Sequence, residues 1–260
     1  MQDFGSRFGE YNSATGLYEF SAARQGAIVA LLPAGALFGS LIAGNIADSL
    51  GRRMAISSSA LFCCVGNIIE ISSSATWVQF AVGRLVTGIG IGSLSVAVPM
   101  YQSESSPAIL RGVLISTYQL FITLGIWTAE MINYGTHGMA SSASWRIPNG
   151  LSFLWALILG AGMLVLPESP RYAYRKGREE EARRTIARLA GLDPTASSVN
   201  QQIDDIRAKL DEERAGAATR WYEIFTGPRM LYRTLLGIAM QVSQVEEQGW
   251  SVCLPSGTNC

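Results

Sequence analysis

Long apolar stretches separated by short polar connections dominate the first two thirds of the chain. Two of these stretches contain no Asp, Glu, Lys or Arg: 23 residues follow Arg24 and 21 residues follow Arg146. About 20 apolar residues are enough for a helix to cross the hydrocarbon core of a bilayer. A lone strand would leave its backbone polar groups unpaired in lipid, so each stretch is predicted to be a helix. The pattern predicts five spans, at residues 25–47, 54–71, 78–101, 112–134 and 147–166.

Basic residues lie mainly on one side of these spans. The connections after the first, third and fifth spans carry 16 of the 20 Lys and Arg residues, and the opposite side carries three. Cytoplasmic connections of membrane proteins are the ones enriched in Lys and Arg. The sequence therefore predicts an extracellular N-terminal segment at 1–24, a five-helix transmembrane bundle at 25–166 and a cytoplasmic segment at 167–233.

The polar segment after the fifth span has the pattern of short helices. In KGREEEARRTIARLAG the acidic residues come first and the arginines later, which suits the helix dipole, and Gly191 ends the pattern. In the next stretch Ile203, Ile206 and Leu210 share one helical face. A solvated linker is the alternative, but we expect short helices packed beneath the bundle. The predicted fold is an all-α membrane protein with this helical segment attached.

The last apolar run is too short to span a bilayer. It covers residues 234–245 and is stopped by Glu246 and Glu247 after 12 residues, whereas a span needs about 20. We interpret it as the start of a truncated helix. The polar residues 246–260 lack periodicity and are interpreted as an aberrant tail.

Composition and motifs argue against several function classes. The 20 basic residues are balanced by 20 acidic ones, so no nucleic-acid surface is predicted. The single His137 cannot form a metal cluster, and patterns typical of a nucleophile or a phosphate-binding loop are absent. The glycines of GRLVTGIGIG lie inside one apolar span, which indicates helix packing rather than a nucleotide fingerprint. We therefore predict no enzyme, no cofactor and no metal.

Five ordered motifs resemble a family of membrane transporters. GNIADSLGRR (44–53) resembles the signature loop between the second and third helices of the major facilitator superfamily. Four further stretches resemble the sugar-porter branch of that superfamily, in the style of fungal monosaccharide transporters. They are GRLVTGIGIG (83–92), VPMYQSESSPAILRG (98–112), YQLFITLGI (118–126) and PESPRYAYRKGREEEA (167–182).

The resemblance implies an incomplete bundle. Family members have twelve helices in two pseudo-symmetric halves, with the substrate held between the halves. The first span here corresponds to the family's second helix, and residues 234–244 correspond to the start of the seventh. The chain thus resembles the N-terminal half without its first helix. A missed splice or an altered reading frame would produce the tail, and a genuine short paralogue is the alternative.

The implied activity is transport of a monosaccharide of the hexose type by alternating access. Proton symport and facilitated diffusion both stay open. Because the facing half is not represented, we expect the chain to be compromised alone or to associate with intact transporter chains. The alternative is a non-transporting sensor or regulatory fragment that associates with intact sugar carriers. Either function implies a multi-pass protein in the lipid bilayer, with the plasma membrane as the expected location.

Three glutamines are the substrate-binding residues that the resemblance implies. A glutamine amide offers an acceptor and two donors to sugar hydroxyls. Gln119 lies in the fourth span, and Gln241 and Gln244 match seventh-helix positions. For Gln119, a hydrogen bond between helices is the alternative.

Arg84 is the residue of the third span whose charge is energetically unfavourable in a membrane. It lies about 9 Å from the start of the span at 1.5 Å per residue. An intramembrane charge is a functional hypothesis by default. In proton-coupled relatives its partner is an acid on the first helix, which implies a charge-coupling role. The alternatives are Glu70, near the outer end of the preceding span, and outward snorkelling of the arginine.

A set of charged residues in the matched motifs forms a predicted cytoplasmic gate. By resemblance these residues bridge helix ends and lock the outward-facing state, a switch of the bistable type. Ordinary loop charges, worth about 0–1 kcal/mol per exposed pair, are the alternative. The set comprises Asp48, Arg52, Arg53, Glu104, Arg111, Glu168 and Arg171.

Overall fold

Eight helices and one short hairpin make up most of the described structure. The computed structural model describes residues 10–12, 17–19, 21–73, 76–107, 110–139, 141–215, 231–232 and 234–239. The long helices are α1 (Ala22–Leu50), α2 (Arg52–Ser72), α3 (Trp77–Ser105), α4 (Arg111–His137) and α5 (Ala143–Val165). The shorter ones are α6 (Pro170–Arg175), α7 (Glu179–Ala190) and α8 (Ser197–Ala215).

The predicted fold class is confirmed, with differences at the helix ends. Four predicted spans lie within one long helix each, and the fifth ends one residue past α5, at Leu166. All five helices are long and apolar enough to cross a membrane. The helices extend past the predicted bounds, and α3 continues through Pro99 to Ser105. The polar residues after position 101 stay helical because a helix can continue beyond the hydrocarbon core, where polar side chains are solvated.

The N-terminal segment contains a short hairpin that the sequence did not predict. β1 (Glu10–Asn12) pairs antiparallel with β2 (Leu17–Glu19), with Tyr11 opposite Tyr18. The chain as a whole divides into two compact units, Met1–Ile206 and Arg207–Cys260. The second unit contains the end of α8 and the helical residues 234–239. The tail predicted at 246–260 lies outside the described residues.

Small residues bring α1 and α3 into close contact, as their four-residue spacing predicts. A Cβ added at Gly35 would overlap the carbonyl oxygen of Leu85, and one added at Gly92 would overlap that of Ala36. The Ser93 hydroxyl donates to the Gly39 carbonyl oxygen across the same interface at 3.0 Å. The α1–α3 pair is therefore packed backbone against backbone, with α2 on another face of α3.

Helices α4 and α5 are less enclosed than the other three. No residue of α4 between Arg111 and Gly135 is buried, and Phe121 and Trp127 are 65% and 60% exposed. Helix α5 packs mainly on α2, where the Ser57 hydroxyl donates to the Gly160 carbonyl oxygen at 3.4 Å. The space between α3, α4 and α5 is consequently only partly filled.

The short helices predicted after α5 are present, and they form a small core of their own. Ala173 of α6, Ala182 and Ile186 of α7, and Val199 and Ile203 of α8 are buried together. Gly191 ends α7 in the left-handed conformation, with φ +65°. The apolar stripe of α8 is thus confirmed as its buried face.

Candidate functional site

The joint between α1 and α2 is a single residue, Gly51, and it marks one end of the bundle. We call the end where α1 and α3 finish and α2 begins the Gly51 end. Gly51 has φ +98°, a backbone conformation that residues with a Cβ rarely adopt. A Cβ here would also overlap the Glu168 carboxylate and meet the Tyr172 ring at 3.0 Å. The joint therefore requires glycine because of its backbone conformation and because Glu168 and Tyr172 approach it closely.

Glu168 caps the start of α2 from a distant part of the chain. Its Oε1 accepts hydrogen bonds from the backbone N–H groups of Arg52 at 3.0 Å and Arg53 at 3.1 Å. It also accepts from the Ser169 N–H at 2.9 Å. The first N–H groups of a helix lack partners within the helix, and a carboxylate is favoured there by the helix dipole. Glu168 thereby ties the segment after α5 to the beginning of α2.

Arg52 and Glu104 form a buried ion pair between α2 and α3. The Arg52 Nε and Nη2 atoms each lie 3.0 Å from a carboxylate oxygen of Glu104. Their side chains are only 6% and 8% exposed. Arg52 Nη1 also reaches Asp48 at 3.1 Å and the Ala47 carbonyl oxygen at 3.1 Å. One arginine therefore connects the ends of α1, α2 and α3.

Residues that the sequence analysis did not single out complete this cluster. The Ser169 hydroxyl donates to Glu104 at 2.5 Å, and Arg175 pairs with Asp48 at 2.7 Å. The Tyr172 ring lies beneath the Arg52 guanidinium at 5.3 Å, and its hydroxyl donates to the Ser49 carbonyl oxygen at 3.0 Å. Ser169, Tyr172 and Arg175 all lie in the motif segment PESPRYAYR. Their closeness in sequence to Glu168 and Arg171 was the signal that could have indicated them.

The structure brings together five of the seven predicted gate residues: Asp48, Arg52, Arg53, Glu104 and Glu168. Arg53 also donates to the Leu164 carbonyl oxygen at the end of α5, at 2.6 Å. Arg111 begins α4 and forms no ion pair with another described residue. Arg171 lies in the first turn of α6 and is half-buried. The gate role of the set stays a prediction.

Arg84 faces Glu70, the residue named in the sequence analysis as its alternative ion-pair partner. Arg84 Nε lies 3.9 Å from Glu70 Oε2, and its guanidinium lies over the Phe80 ring at 5.3 Å. The other oxygen of Glu70 accepts a hydrogen bond from the Thr87 hydroxyl at 2.9 Å. The proposed charge-coupling role of Arg84 stays a prediction.

A cavity of about 1070 Å³ lies between α3, α4 and α5. Its wall is largely aromatic and apolar, and its polar residues include Arg84, Asn133 and Asn149. A concave apolar site with a few placed polar groups is the usual form of a small-ligand pocket. Gln119 does not line this cavity and is exposed on α4. Gln241 and Gln244 lie outside the described residues.

The comparisons with known proteins agree with this architecture. The family model for sugar (and other) transporters matches residues 1–247. The chain belongs to this sugar transporter family. Its members are transporters, which confirms the prediction that the chain is not an enzyme. With five helices suited to crossing a bilayer, this sugar transporter family member is a multi-pass membrane protein.

Fungal relatives match nearly the whole chain. A high-affinity glucose transporter of Schizosaccharomyces pombe is 40% identical over 267 residues, covering 100% of this chain and 50% of the relative. A hexose transporter of Saccharomyces cerevisiae is 43% identical over 242 residues, covering 93% of this chain and 43% of the relative. The sugar transporter chain thus spans about half the length of these curated relatives.

Solved structures support the major facilitator fold. The partially occluded inward-open xylose transporter XylE of Escherichia coli superposes with a TM-score of 0.68 at 24% identity. The superposition covers 74% of this chain and 50% of that one. At this identity the likeness establishes the fold alone, and it confirms the predicted partial bundle of this transporter family.

Proposed function

We propose that this chain forms one half of a hexose transporter that works by alternating access. The family and the activities of two relatives, a glucose transporter and a hexose transporter, favour a monosaccharide as the substrate. The observation that carries the proposal is the charge cluster at the Gly51 end, which joins α1, α2, α3 and the segment after α5. Alternating access requires helix ends that are held together in one state and released in another.

The buried Arg52–Glu104 pair suits such a device. Removing one partner of a buried pair leaves an uncompensated charge, which makes a state with a broken pair distinctly less stable. A cluster of this kind therefore separates two discrete arrangements better than exposed loop charges do. We propose that the other residues of the predicted set, Asp48, Arg53, Glu168, Arg111 and Arg171, belong to the same gate.

We propose that the Gly51 end faces the cytoplasm of the plasma membrane. The connections at this end carry the excess of Lys and Arg, as cytoplasmic connections do. The proposed substrate contacts are Gln119, Gln241 and Gln244. Their amides would face a sugar held between this half and a second one. Arg84 is the proposed charge-coupling residue, and the proposal leaves open both proton symport and facilitated diffusion.

A second half is needed to complete the bundle. The cavity places Arg84, Asn133 and Asn149 at a partly open wall of membrane helices. Polar and charged groups at bilayer depth are stable where protein or a water-filled cavity covers them. We therefore propose that the 260-residue chain by itself does not support saturable sugar uptake, and that a facing half restores it.

The test is uptake of radiolabelled glucose and fructose by yeast cells that lack their own hexose carriers. Cells express the chain alone, the C-terminal half of a full-length relative alone, or both together. We expect saturable uptake only when both are present, with the tagged chain at the plasma membrane in every arm. Saturable uptake by the chain alone would contradict the need for a second half. No uptake in any combination would contradict the transport function.

A further arm addresses the regulatory alternative. The chain is co-expressed with an intact hexose carrier, and uptake and co-purification are measured. A chain that changes uptake by the carrier and co-purifies with it, but that never transports with a facing half, is a regulator. The proposed function instead requires saturable uptake when the chain is present together with a facing half.

A further inference from the structure

Glu70 is an acidic side chain enclosed between two membrane helices. Its side chain is 4% exposed. It lies two residues before the end of α2, whereas Arg84 lies seven residues after the start of α3. At 1.5 Å per residue, Arg84 is therefore about 10 Å inside its helix. The Arg84 guanidinium thus reaches back along α3 toward the helix end and the carboxylate of Glu70.

Close helix packing holds Glu70 in this place. A Cβ added at Gly83 would lie 2.6 Å from Glu70 Cγ and 3.0 Å from its backbone nitrogen. A Cβ at Gly66 would overlap Thr87, the residue whose hydroxyl donates to Glu70 at 2.9 Å. Glycine at both positions lets the helix backbones approach. The Glu70 carboxylate is therefore enclosed by α3 and has little freedom to turn away.

Arg84 has Glu70 on one side and the cavity on the other. Its Nε faces Glu70 at 3.9 Å, its guanidinium lies over Phe80, and its side chain is still 34% exposed. It also lines the cavity between α3, α4 and α5. A guanidinium carries five N–H donors and no acceptor. Its direction at this wall therefore depends on where the nearest negative charge lies.

Two further arginines of the described residues lie near this end of the helices. Arg24 of α1 lies over the Trp77 ring at 5.6 Å, and Arg146 of α5 lies over the Trp145 ring at 5.1 Å. Three cations thus approach the start of α3 and α5, and Glu70 is the acid of α2 that pairs with one of them. The negative charge of Glu70 therefore distinguishes it from a residue that only fills space between the helices.

We propose that Glu70 is a positioning residue for Arg84. Its carboxylate holds the guanidinium against the α2–α3 side of the cavity, with the Thr87 hydroxyl fixing the carboxylate in turn. Loss of the negative charge lets Arg84 turn into the cavity, which changes the wall that a substrate or a facing helix would meet. The transport consequence rests on the proposed function, whereas the positioning itself does not.

The first test measures the reactivity of Arg84 without any transport assay. The full chain in nanodiscs is treated with phenylglyoxal, and peptide mass spectrometry gives the modification rate at Arg84. We expect Glu70→Gln to raise the rate about fivefold, the scale of one weak ion pair. Glu70→Asp keeps the charge and is expected to stay near the native rate. The matched control is Glu130→Gln on the exposed face of α4, which should leave the rate unchanged.

The two Glu70 variants separate charge from shape. Gln matches the size of Glu, so a residue that only fills space would be better replaced by Gln than by Asp. Equal rates in the Gln variant and the native chain, or a larger rise in the Asp variant, would overturn the proposal. If Glu70→Gln does not fold, Thr87→Val supplies the test, because it removes the hydroxyl that fixes the carboxylate. An unchanged Arg84 rate in that variant would also overturn the proposal.

The second test uses uptake by the chain together with a facing half. We expect Glu70→Gln to lower the maximal uptake rate and Glu70→Asp to restore it in part. Native-like uptake with Glu70→Gln would overturn the transport consequence of the positioning. If the native pair shows no uptake, the proposed function fails, while the labelling rates still decide whether Glu70 positions Arg84.

Discussion

Glu168 accepts a hydrogen bond from the backbone N–H of Arg52, although 116 positions separate the two residues. The same oxygen atom accepts from the next N–H of α2, so one carboxylate satisfies two of the unpaired donors at this helix start. The N-cap position itself is Gly51, which has no side chain to offer. The cap of α2 therefore depends on the segment that follows α5.

Removing this distant cap should destabilise the bundle. We expect Glu168→Ala to lower the free energy of unfolding by about 1 kcal/mol, the usual value of a helix N-cap. Glu168→Gln keeps an acceptor oxygen but loses the charge, so its effect should be smaller. Thermal unfolding in detergent, followed by circular dichroism, measures both. Glu212→Ala, an exposed change near the end of α8, is the control, and an equal loss in that variant would contradict the capping role.

The Arg52–Glu104 pair should show strong coupling in a double-mutant cycle. Removing one partner of a buried pair costs about 3–5 kcal/mol because the other charge stays buried and uncompensated. We expect Arg52→Met or Glu104→Gln to destabilise the chain strongly. The double variant should be more stable than the sum of the two single losses implies. Additive losses in detergent unfolding would show that the two side chains do not depend on each other.

The helices could be predicted from the sequence because their signal is local. An uncharged run of sufficient length defines a span whatever packs against it, and each of the five predicted spans coincides with one helix to within one residue at its end. The ends were less predictable, since Pro99 and the polar residues after it remain inside α3. A proline disturbs only the helical turn before it. Polar side chains are compatible with a helix where that helix extends beyond the hydrocarbon core.

Some members of the charge cluster could be predicted from the sequence, but their pairings could not. Motifs at helix ends indicated Asp48, Arg52, Glu104 and Glu168, yet periodicity does not say which helix ends meet. Tyr172 lies in a helix of six residues, too short to show a pattern. Its contact with Arg52 depends on α6 lying beneath the Gly51 end, which is a tertiary relationship. The cavity was missed for the same reason.

The turn before α8 should respond to acid. Hydrogen bonds from the Thr195 hydroxyl and backbone N–H to the carboxylate lower the pKa of Asp193 below its usual value of 3.8. A lowered pKa contributes stability that is present above the usual value and is lost as the pH falls through the folded-state pKa. Hydrogen exchange at residues 193–200 should therefore be faster in Asp193→Ala than in the native chain at pH 5.

This difference should shrink as the pH is lowered below 3.8, because the native Asp193 then becomes protonated as well. Asp205→Ala, an exposed change within α8, is the control and should leave exchange in the 193–200 segment unchanged. A difference between Asp193→Ala and the native chain that stays the same at pH 5 and in acid would contradict the hydrogen-bonded carboxylate.

Two glycines in membrane helices should respond oppositely to alanine. At Gly92 an added Cβ would overlap the Ala36 carbonyl oxygen, so α1 and α3 would have to move apart. Overpacking of this kind costs about 1–3 kcal/mol. At Gly162 on α5 nothing lies within 4 Å of the added Cβ, and alanine is about 1 kcal/mol more favourable than glycine in a helix. Detergent unfolding should therefore occur at a lower temperature for Gly92→Ala and at an equal or higher one for Gly162→Ala. The same shift in both variants would contradict backbone contact between α1 and α3.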